Sequence, residues 1–564
     1  MKRLFLQIFL CVLLIPSVSS GGDLYEEQLD KGIRNSEPYS YLLIKQSKAN
    51  SAEAKDILKK ALRYSPDLPA VYFELSKVSF DFSPEGLFEA IDYMFQGIAA
   101  YKRNFWWAFT MAGSLFTSAI LSLIISTIII ILIRLPNDMS LLSHDIKEVK
   151  NRMLLLLILM SAIIGPLFLI GGLLIIVGLY MKKWDRGFVY FFLLFLLILP
   201  WIFNTASKFF NTYTSGKIKA VVRVNESKNN NYVLSLPRSS SDPVELFSYA
   251  IALKRGGKYS EAIDIYDGLI TKRPAPWNAD IIGVPMLYNN LANCYVGIND
   301  IEKAKELYIK SIELKPLPSA FYNLSQVLRE AFDFGKGDEY FLSAQRLDRD
   351  AVARFRAIFS RNPNRFVVDE VLTASDLWKY SMGKTTSTST IGASTVPIAF
   401  LPVIAFSMVI LFYLLNRRIK SSAYRCSKCG IILCKKCEKH ILWGRMCLQC
   451  YRSLVKLDEL DAKKRIKRVL TVYEYQKRRR VIIKILSFIM PGSGQIYAGN
   501  VLYGLLFLWP FLFLLLILVT NSIFVVETSS FSHIWLNWCS LFLMAVLYLL
   551  SNVITRRRLA KGWL

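Results

Sequence analysis

The sequence predicts a mainly α-helical protein. It combines solenoid segments of paired helices, a multi-span membrane region and a small cysteine-rich module. Three observations predict this. The 564 residues are 53% hydrophobic with a mean hydropathy of +0.34, too apolar for a soluble chain of this size. A helix–turn–helix pattern recurs between Pro243 and Asp348. Six of the nine Cys fall between Cys426 and Cys450, which is metal-ligand spacing and predicts a reducing compartment there.

The recurring pattern sets the organisation. In PVELFSYAIALKRGGKYSEAIDIYDGLITKRP, Leu246, Tyr249, Ala250 and Leu253 are expected inward on one helix, and Ala262, Tyr266 and Leu269 on the next, before Pro274. LYNNLANCYVGINDIEKAKELYIKSIELKP repeats this with Leu291, Ala292, Tyr295, Ala304, Tyr308, Ser311 and Pro316. A third copy carries Leu324, Ser325, Leu328, Phe341 and Ala344. A small residue lets two helices approach closely, and an aromatic four positions on fills the space one turn away. The pattern resembles the tetratricopeptide (TPR) repeat, with its period of about 34 residues. That resemblance implies a TPR-type α-solenoid with no catalytic chemistry and a concave face for a protein or peptide. Asn289, Asn290, Asn293, Tyr322 and Asn323 on first helices are the expected peptide-binding residues, because carboxamides suit peptide backbone.

In chain order, residues 1–20 read as a signal peptide. Lys2 and Arg3 precede the apolar run Leu4–Ile15 and the small exit Ser17–Ser20. Residues 21–103 resemble further TPR-like helices, with Ala54, Leu58, Ala61 and Pro66 at the spacing of Ala262, Tyr266, Leu269 and Pro274. Residues 104–206 hold two or three spans, in the apolar runs Phe105–Ile133, Met153–Tyr180 and Phe188–Phe203. A polar linker is expected over 207–242, with a short strand at Lys217–Val224. The repeats and capping helices occupy 243–380, a Ser/Thr linker 381–395 and a further span 396–415. Residues 416–480 form the cysteine module and a basic helix, and 481–564 a two-span membrane domain.

The module contains three C-x2-C pairs: Cys426/Cys429, Cys434/Cys437 and Cys447/Cys450. Two intervening residues let both thiolates reach one tetrahedral ion, with Zn–S at about 2.3 Å. The order C-x2-C-G-x3-C-x2-C…R-x-C-x2-C-Y resembles the later part of a FYVE-type zinc finger. That resemblance implies crossed pairing. Cys426, Cys429, Cys447 and Cys450 would share one zinc, with Cys434 and Cys437 at a second site that His440 could complete. The family's first cysteine pair and its basic lipid-headgroup motif are absent, so phosphoinositide binding is not carried over. One structural zinc is expected, with no ligand position open for catalysis.

The net charge of +27 clusters beside the apolar runs. This favours anionic lipid headgroups near the basic helix, which carries Lys463, Lys464, Arg465, Lys467, Arg468 and Lys477–Arg480, over nucleic acid. Pro491-Gly492-Ser493-Gly494-Gln495-Ile496-Tyr497 resembles the P-G-x-G-Q-x-Y motif of small bacterial two-span domains and implies membrane architecture. Basic flanks put the cysteine module and C-terminus in the cytoplasm, and hence the repeats in the periplasm of a bacterial inner membrane. The signal peptide puts the first repeats outside too. Even crossings must then separate the repeat blocks, yet three runs lie between them. Either one run is re-entrant or interfacial, the Gly-rich second being a candidate, or the central repeats are cytoplasmic. No paired carboxylates, Ser/His/Asp set or phosphate loop occur, and there are three His, so no enzyme is expected. The expectation is a membrane-anchored scaffold or adaptor. A component of a membrane transport or envelope-biogenesis complex is the alternative.

Overall fold

Acidic caps start the repeat helices. Asp242 accepts from the N–H groups of Val244 and Glu245 ahead of Pro243 at the first helical turn. Asp300, Asp333 and Asp348 each accept from the N–H three residues on. The computed structural model describes residues 23–145, 160–228, 240–271, 281–383, 397–418, 423–434, 446–455, 462–524 and 534–561. The expected signal peptide, Cys437 and His440 lie outside them.

The described chain is mainly α and divides into two units. The repeat unit takes 23–109 and 208–383 among the described residues. It starts with α1 (Leu24–Asp30), α2 (Glu37–Ala49), α3 (Ala54–Tyr64), α4 (Pro69–Ser79) and α5 (Pro84–Ala100). A long α6 (Phe105–Asp145) leaves it. The second unit continues with α7 (Pro166–Leu179), α8 (Arg186–Leu197) and α9 (Leu199–Thr214), the last re-entering the repeat unit. There follow α10 (Gly216–Asn225), α11 (Pro243–Arg255), α12 (Tyr259–Thr271), α13 (Val284–Gly297), α14 (Ile301–Leu314), α15 (Pro318–Glu330) and α16 (Phe334–Leu347). Helices α17 (Arg349–Ala357), α18 (Pro363–Phe366) and α19 (Ala374–Gly383) close the unit.

The repeat core follows the spacing of small and aromatic residues. Ala262, Tyr266, Ala304, Tyr308 and Ala344 are buried at the hairpin crossings. On α11 the inward face is rotated: Phe247, Ala250, Ile251 and Leu253 are buried, while Leu246 and Tyr249 are half-buried. The N-terminal helices and the central repeats pack as one body. Arg365 pairs with Glu26 and Asp30, and the Asn364 amide donates to Asp30 O at 2.8 Å. Lys228 bridges Glu37 and Glu226 at 2.9 and 2.7 Å.

Two expectations are corrected. Lys217–Val224 is not a strand but part of helix α10. Ser215 caps it through the N–H of Ile218, and Ile218, Val221 and Val222 form a buried i, i+3, i+4 stripe that alternation had masked. The first apolar run ends at Ile133, but the connecting loop expected from Arg134 does not begin there. Helix α6 continues to Asp145, so Arg134 and Asp138 stand one turn apart and pair at 3.0 Å.

The second unit also holds α20 (Leu401–Arg418), strands β1 (Tyr424–Arg425) and β2 (Ile432–Leu433), and α21 (Leu448–Leu454). It ends with α22 (Ala462–Ile489), α23 (Ser493–Tyr497), α24 (Val501–Ile523) and α25 (Ile534–Ala560). Among the described residues three helices, α6, α24 and α25, are long and apolar enough to cross a bilayer, and α8 with α9 makes a fourth candidate bent by 57°. Helices α7 and α20 are shorter and apolar; they pack with α8 around Leu174, Phe192, Leu196, Ala405 and Phe412. In the P-G-x-G-Q-x-Y segment, Gly492 has φ +82° and a Cβ there would lie 2.1 Å from Gly504 O. Only glycine allows α23 to turn this closely against α24.

Candidate peptide groove and metal site

The concave side of the repeats is lined by carboxamides, and the chain fills it itself. Residues 367–373, between α18 and α19, run without helix or strand across the first helices. Asn323 on α15 donates to Val368 O at 2.9 Å and accepts from Val368 N–H at 2.8 Å. Asn290 on α13 does the same for Glu370, at 2.8 Å in each direction. Asn225 on α10 accepts from Leu372 N–H at 2.9 Å. Alternate residues of an extended chain present their backbone groups to the same edge, and a carboxamide carries one donor and one acceptor side by side. The spacing Val368, Glu370, Leu372 therefore meets three Asn in turn. Asn289 and Asn293 add further donors to Val368 O at 3.1 and 2.9 Å.

This changes what the five expected peptide-binding residues do. Asn289, Asn290, Asn293, Tyr322 and Asn323 are at most 1% exposed, so none presents a free face to a partner. The Asn side chains hold peptide backbone, but that of the chain's own segment. Tyr322 packs in a small core with Val368, Val352 and Phe355 instead of projecting. Sequence reasoning also missed Asp369, Lys254 and Arg255. Asp369 is buried in the groove with Lys254 at 2.9 Å, Arg255 at 3.4 Å and the Asn293 amide at 2.9 Å. Burial would push its carboxyl up, yet the two cations hold it below the ordinary carboxylate range. Lys254-Arg255 before Gly256-Gly257 reads as a solvated last turn, and nothing local marks the pair as buried.

The cysteine module is built on a two-stranded ribbon, with Tyr424 paired to Leu433 and Arg425 to Ile432. The turn out of β1 carries Cys426 and Cys429. Gly430 closes it at φ +77°, with its N–H on Cys426 O at 3.0 Å. Cys447 and Cys450 come from the start of α21. The Sγ atoms of Cys426, Cys429, Cys447 and Cys450 all lie within 4.8 Å of one another, and all four residues are buried. The Cys429–Cys447 sulfur separation is 3.8 Å. A tetrahedral ion with bonds of about 2.3 Å separates its thiolates by about the same distance. Burial raises the thiols of Cys429 and Cys450, and would raise Cys426, but the N–H groups of Cys429, Cys447 and Lys428 bring Cys426 down to about 7. The residues thus fit a four-thiolate metal ion.

Cys434 is half-exposed and does not belong to this group; Cys437 and His440 lie outside the described residues. Helix α22 supplies what the sequence did not reveal. Arg468 donates to Cys429 Sγ at 3.2 Å and Cys447 Sγ at 3.5 Å, offsetting the negative charge of clustered thiolates. Gln476 donates to the carbonyls of Ser427 and Lys428, both at 2.9 Å. The Tyr475 ring covers Gly430. Arg468, Val472, Tyr475 and Gln476 form one helical stripe against the knuckle.

A family model described as tetratricopeptide repeat matches residues 287–316, the hairpin of α13 and α14. The chain is similar to "Mitochondrial import receptor subunit TOM70" of two Saccharomyces cerevisiae strains, YJM789 and ATCC 204508 / S288c. The identity is 36% over 75 residues. The match covers 12% of this chain and 11% of each relative, so the chain spans only about a tenth of their length. These findings identify a TPR repeat at residues 287–316 in a mainly α chain that also carries apolar helices and a four-cysteine cluster.

Proposed function

We propose that the protein is a membrane-anchored TPR scaffold whose concave groove holds extended polypeptide by its backbone. The observation that carries this is the paired hydrogen bonding of Asn323 and Asn290 to Val368 and Glu370. The Asn pairs read backbone and so accept many sequences, while Lys254 and Arg255 favour an acidic residue between the two backbone contacts. In the resting chain the segment 367–373 occupies that groove. Similarity to an import receptor subunit favours an extended polypeptide as the partner and, as the second reading, membership of a membrane transport complex. No catalytic activity is assigned.

The anchoring reading rests on helix lengths. The two repeat blocks form one body, so an even number of crossings must separate them. Helix α6 makes one crossing and the bent α8–α9 pair the other. Helix α7, with 14 residues, rises about 21 Å, less than a bilayer core of about 30 Å, whereas α20, with 18 residues, rises about 27 Å and makes the further crossing from the repeats to the cysteine module. The repeats then face the periplasm of a bacterial inner membrane, with the cysteine module and C-terminus in the cytoplasm. There Cys426, Cys429, Cys447 and Cys450 hold one structural zinc. The exposed Ile466, Leu470 and Tyr473, among the lysines and arginines of α22, rest on anionic headgroups.

The groove is tested with a labelled peptide of residues 366–373 added to the full chain in detergent. Val368→Pro deletes the N–H that Asn323 accepts, so the variant is expected to bind the peptide in trans while the wild type does not. A folded Val368→Pro chain that takes up no peptide contradicts the proposal.

A further inference from the structure

A cavity of about 430 Å³ lies beside the cysteine knuckle, within the second unit. The end of α6, the turn from α7 to α8, the knuckle, helix α22 and the start of α24 all contribute to its wall. Five cationic side chains line it: Arg134, Lys182, Arg186, Arg425 and Arg479. Two carboxylates, Asp138 and Asp185, stand against them, which leaves a formal surplus of three positive charges.

Both carboxylates belong to the cavity wall, and Asp138 neutralises one of its own cations. Asp138 binds Arg134 through both oxygens, at 3.0 and 3.1 Å. Asp185 accepts from the Leu502 N–H at 2.9 Å through one oxygen, at the first turn of α24, and its buried second oxygen has no hydrogen-bond partner among the described residues. Among the described residues no carboxylate lies within ion-pair distance of Lys182, Arg425 or Arg479. Lys182 donates to the Asn500 side chain, Arg425 to Asn137 O at 3.0 Å and to Ser140, and Arg479 to Ala498 O at 3.4 Å. The buried Arg425 Nε has no hydrogen-bond partner there. These neutral contacts hold the cations in place around the concavity; Asp138 lies near enough to act on Arg425 as well as Arg134, while Lys182 and Arg479 have no ion-pair partner among the described residues. Like charges gathered in a concave, partly desolvated space repel one another, and the arrangement is stabilised by an anion bound between them. Guanidinium groups beside an ammonium match a phosphate, which accepts several charge-assisted hydrogen bonds at once. The cavity also joins a feature the sequence left without a role: Tyr497 of the P-G-x-G-Q-x-Y motif lines it.

We propose that this cavity binds a phosphate group, carried either by an anionic glycerophospholipid or by a soluble phosphomonoester. The lipid source rests on α6 and α24 being membrane spans; the phosphate chemistry does not. The test uses the full chain in detergent and native mass spectrometry with short-chain phosphatidylglycerol, phosphatidylcholine and glycerol phosphate as probes. Phosphatidylglycerol is expected to be retained over phosphatidylcholine. Arg479→Gln and Lys182→Gln are each expected to weaken retention roughly tenfold, the loss for one charged contact. The exposed pair Lys463→Gln/Lys464→Gln is expected to leave retention unchanged. Displacement by glycerol phosphate supports the site with a soluble source, and failure of glycerol phosphate to displace supports it with a lipid source. Binding of glycerol phosphate by a chain that does not insert into phosphatidylglycerol vesicles sustains the cavity and removes the membrane reading. Cavity variants that bind like wild type, or a surface-lysine control that loses as much as they do, overturn the proposal.

Discussion

Asn323 and Val368 are 45 residues apart and exchange two hydrogen bonds, amide to carbonyl at 2.9 Å and backbone N–H to amide oxygen at 2.8 Å. Both groups are buried, so removing the side chain strands a donor and an acceptor. Asn323→Ala is expected to cost about 1–3 kcal/mol. Hydrogen exchange checks it: the amides of Val368, Glu370 and Leu372 should exchange faster together, while those inside α13 stay protected. Unchanged exchange at all three contradicts the groove assignment.

Asp369 ties the same segment to Lys254 and Arg255. Its carboxyl is lowered in the folded chain, so its contribution is present above the ordinary aspartate value of about 3.9 and is lost as pH falls through the lower folded value. The segment should therefore stay seated from neutral to mildly acid pH and loosen only below about pH 4. Asp369→Asn leaves two buried cations without their anion and should cost about 3–5 kcal/mol at neutral pH. Denaturant unfolding from pH 7 downward checks both: the variant should fall well below wild type at pH 7, and the gap should begin to narrow only below about pH 4.

One metal ion per chain is expected from the four clustered thiolates. Cys447→Ser or Cys450→Ser should lose it, and Cys434→Ser should keep it. Arg468→Gln should weaken retention against a chelator by about 10–100-fold, as removal of a group hydrogen-bonded to metal ligands generally does. Elemental analysis after dialysis reads all four variants. Two ions per chain, or loss in the Cys434 variant, sinks the single-site account.

Gly492→Ala should destabilise the C-terminal membrane segment. The substitution forces an L side chain into φ +82° and drives its Cβ into Gly504 O. A loss above about 2 kcal/mol is expected, read by thermal unfolding in detergent with Gly499→Ala as a comparison. Gly499 shares the left-handed backbone, at φ +89°, but an added Cβ there meets only the tip of the Arg134 side chain, at 3.4 Å, so the difference between the two variants reports the collision with Gly504 O.

The parts of the fold written locally were legible in the sequence. Ala262, Tyr266, Ala304 and Tyr308 gave the repeat crossings because helical spacing and residue size suffice there. The C-x2-C spacing gave the knuckle pairs for the same reason. Lys217–Val224 misled because K-I-K-A-V-V-R-V satisfies both periods, and the cap at Ser215 and packing against α11 decide between them. The groove occupant was illegible for another reason. FVVDEVLT carries no motif, and its partners Asn225, Asn290 and Asn323 are set by tertiary contact across up to 147 residues. Arg468 was read as one charge among many in a basic run. Its role depends on which face of α22 meets the knuckle, and that face emerges only when the helix is docked.

The central claim is a repeat body and a cysteine module held on opposite sides of one membrane. Compartment-sensitive reporters fused after Lys384 and after Leu457 test it most directly. The account predicts an external signal at Lys384 and a cytoplasmic one at Leu457. Signals from the same compartment at both positions, or the two reversed, contradict it.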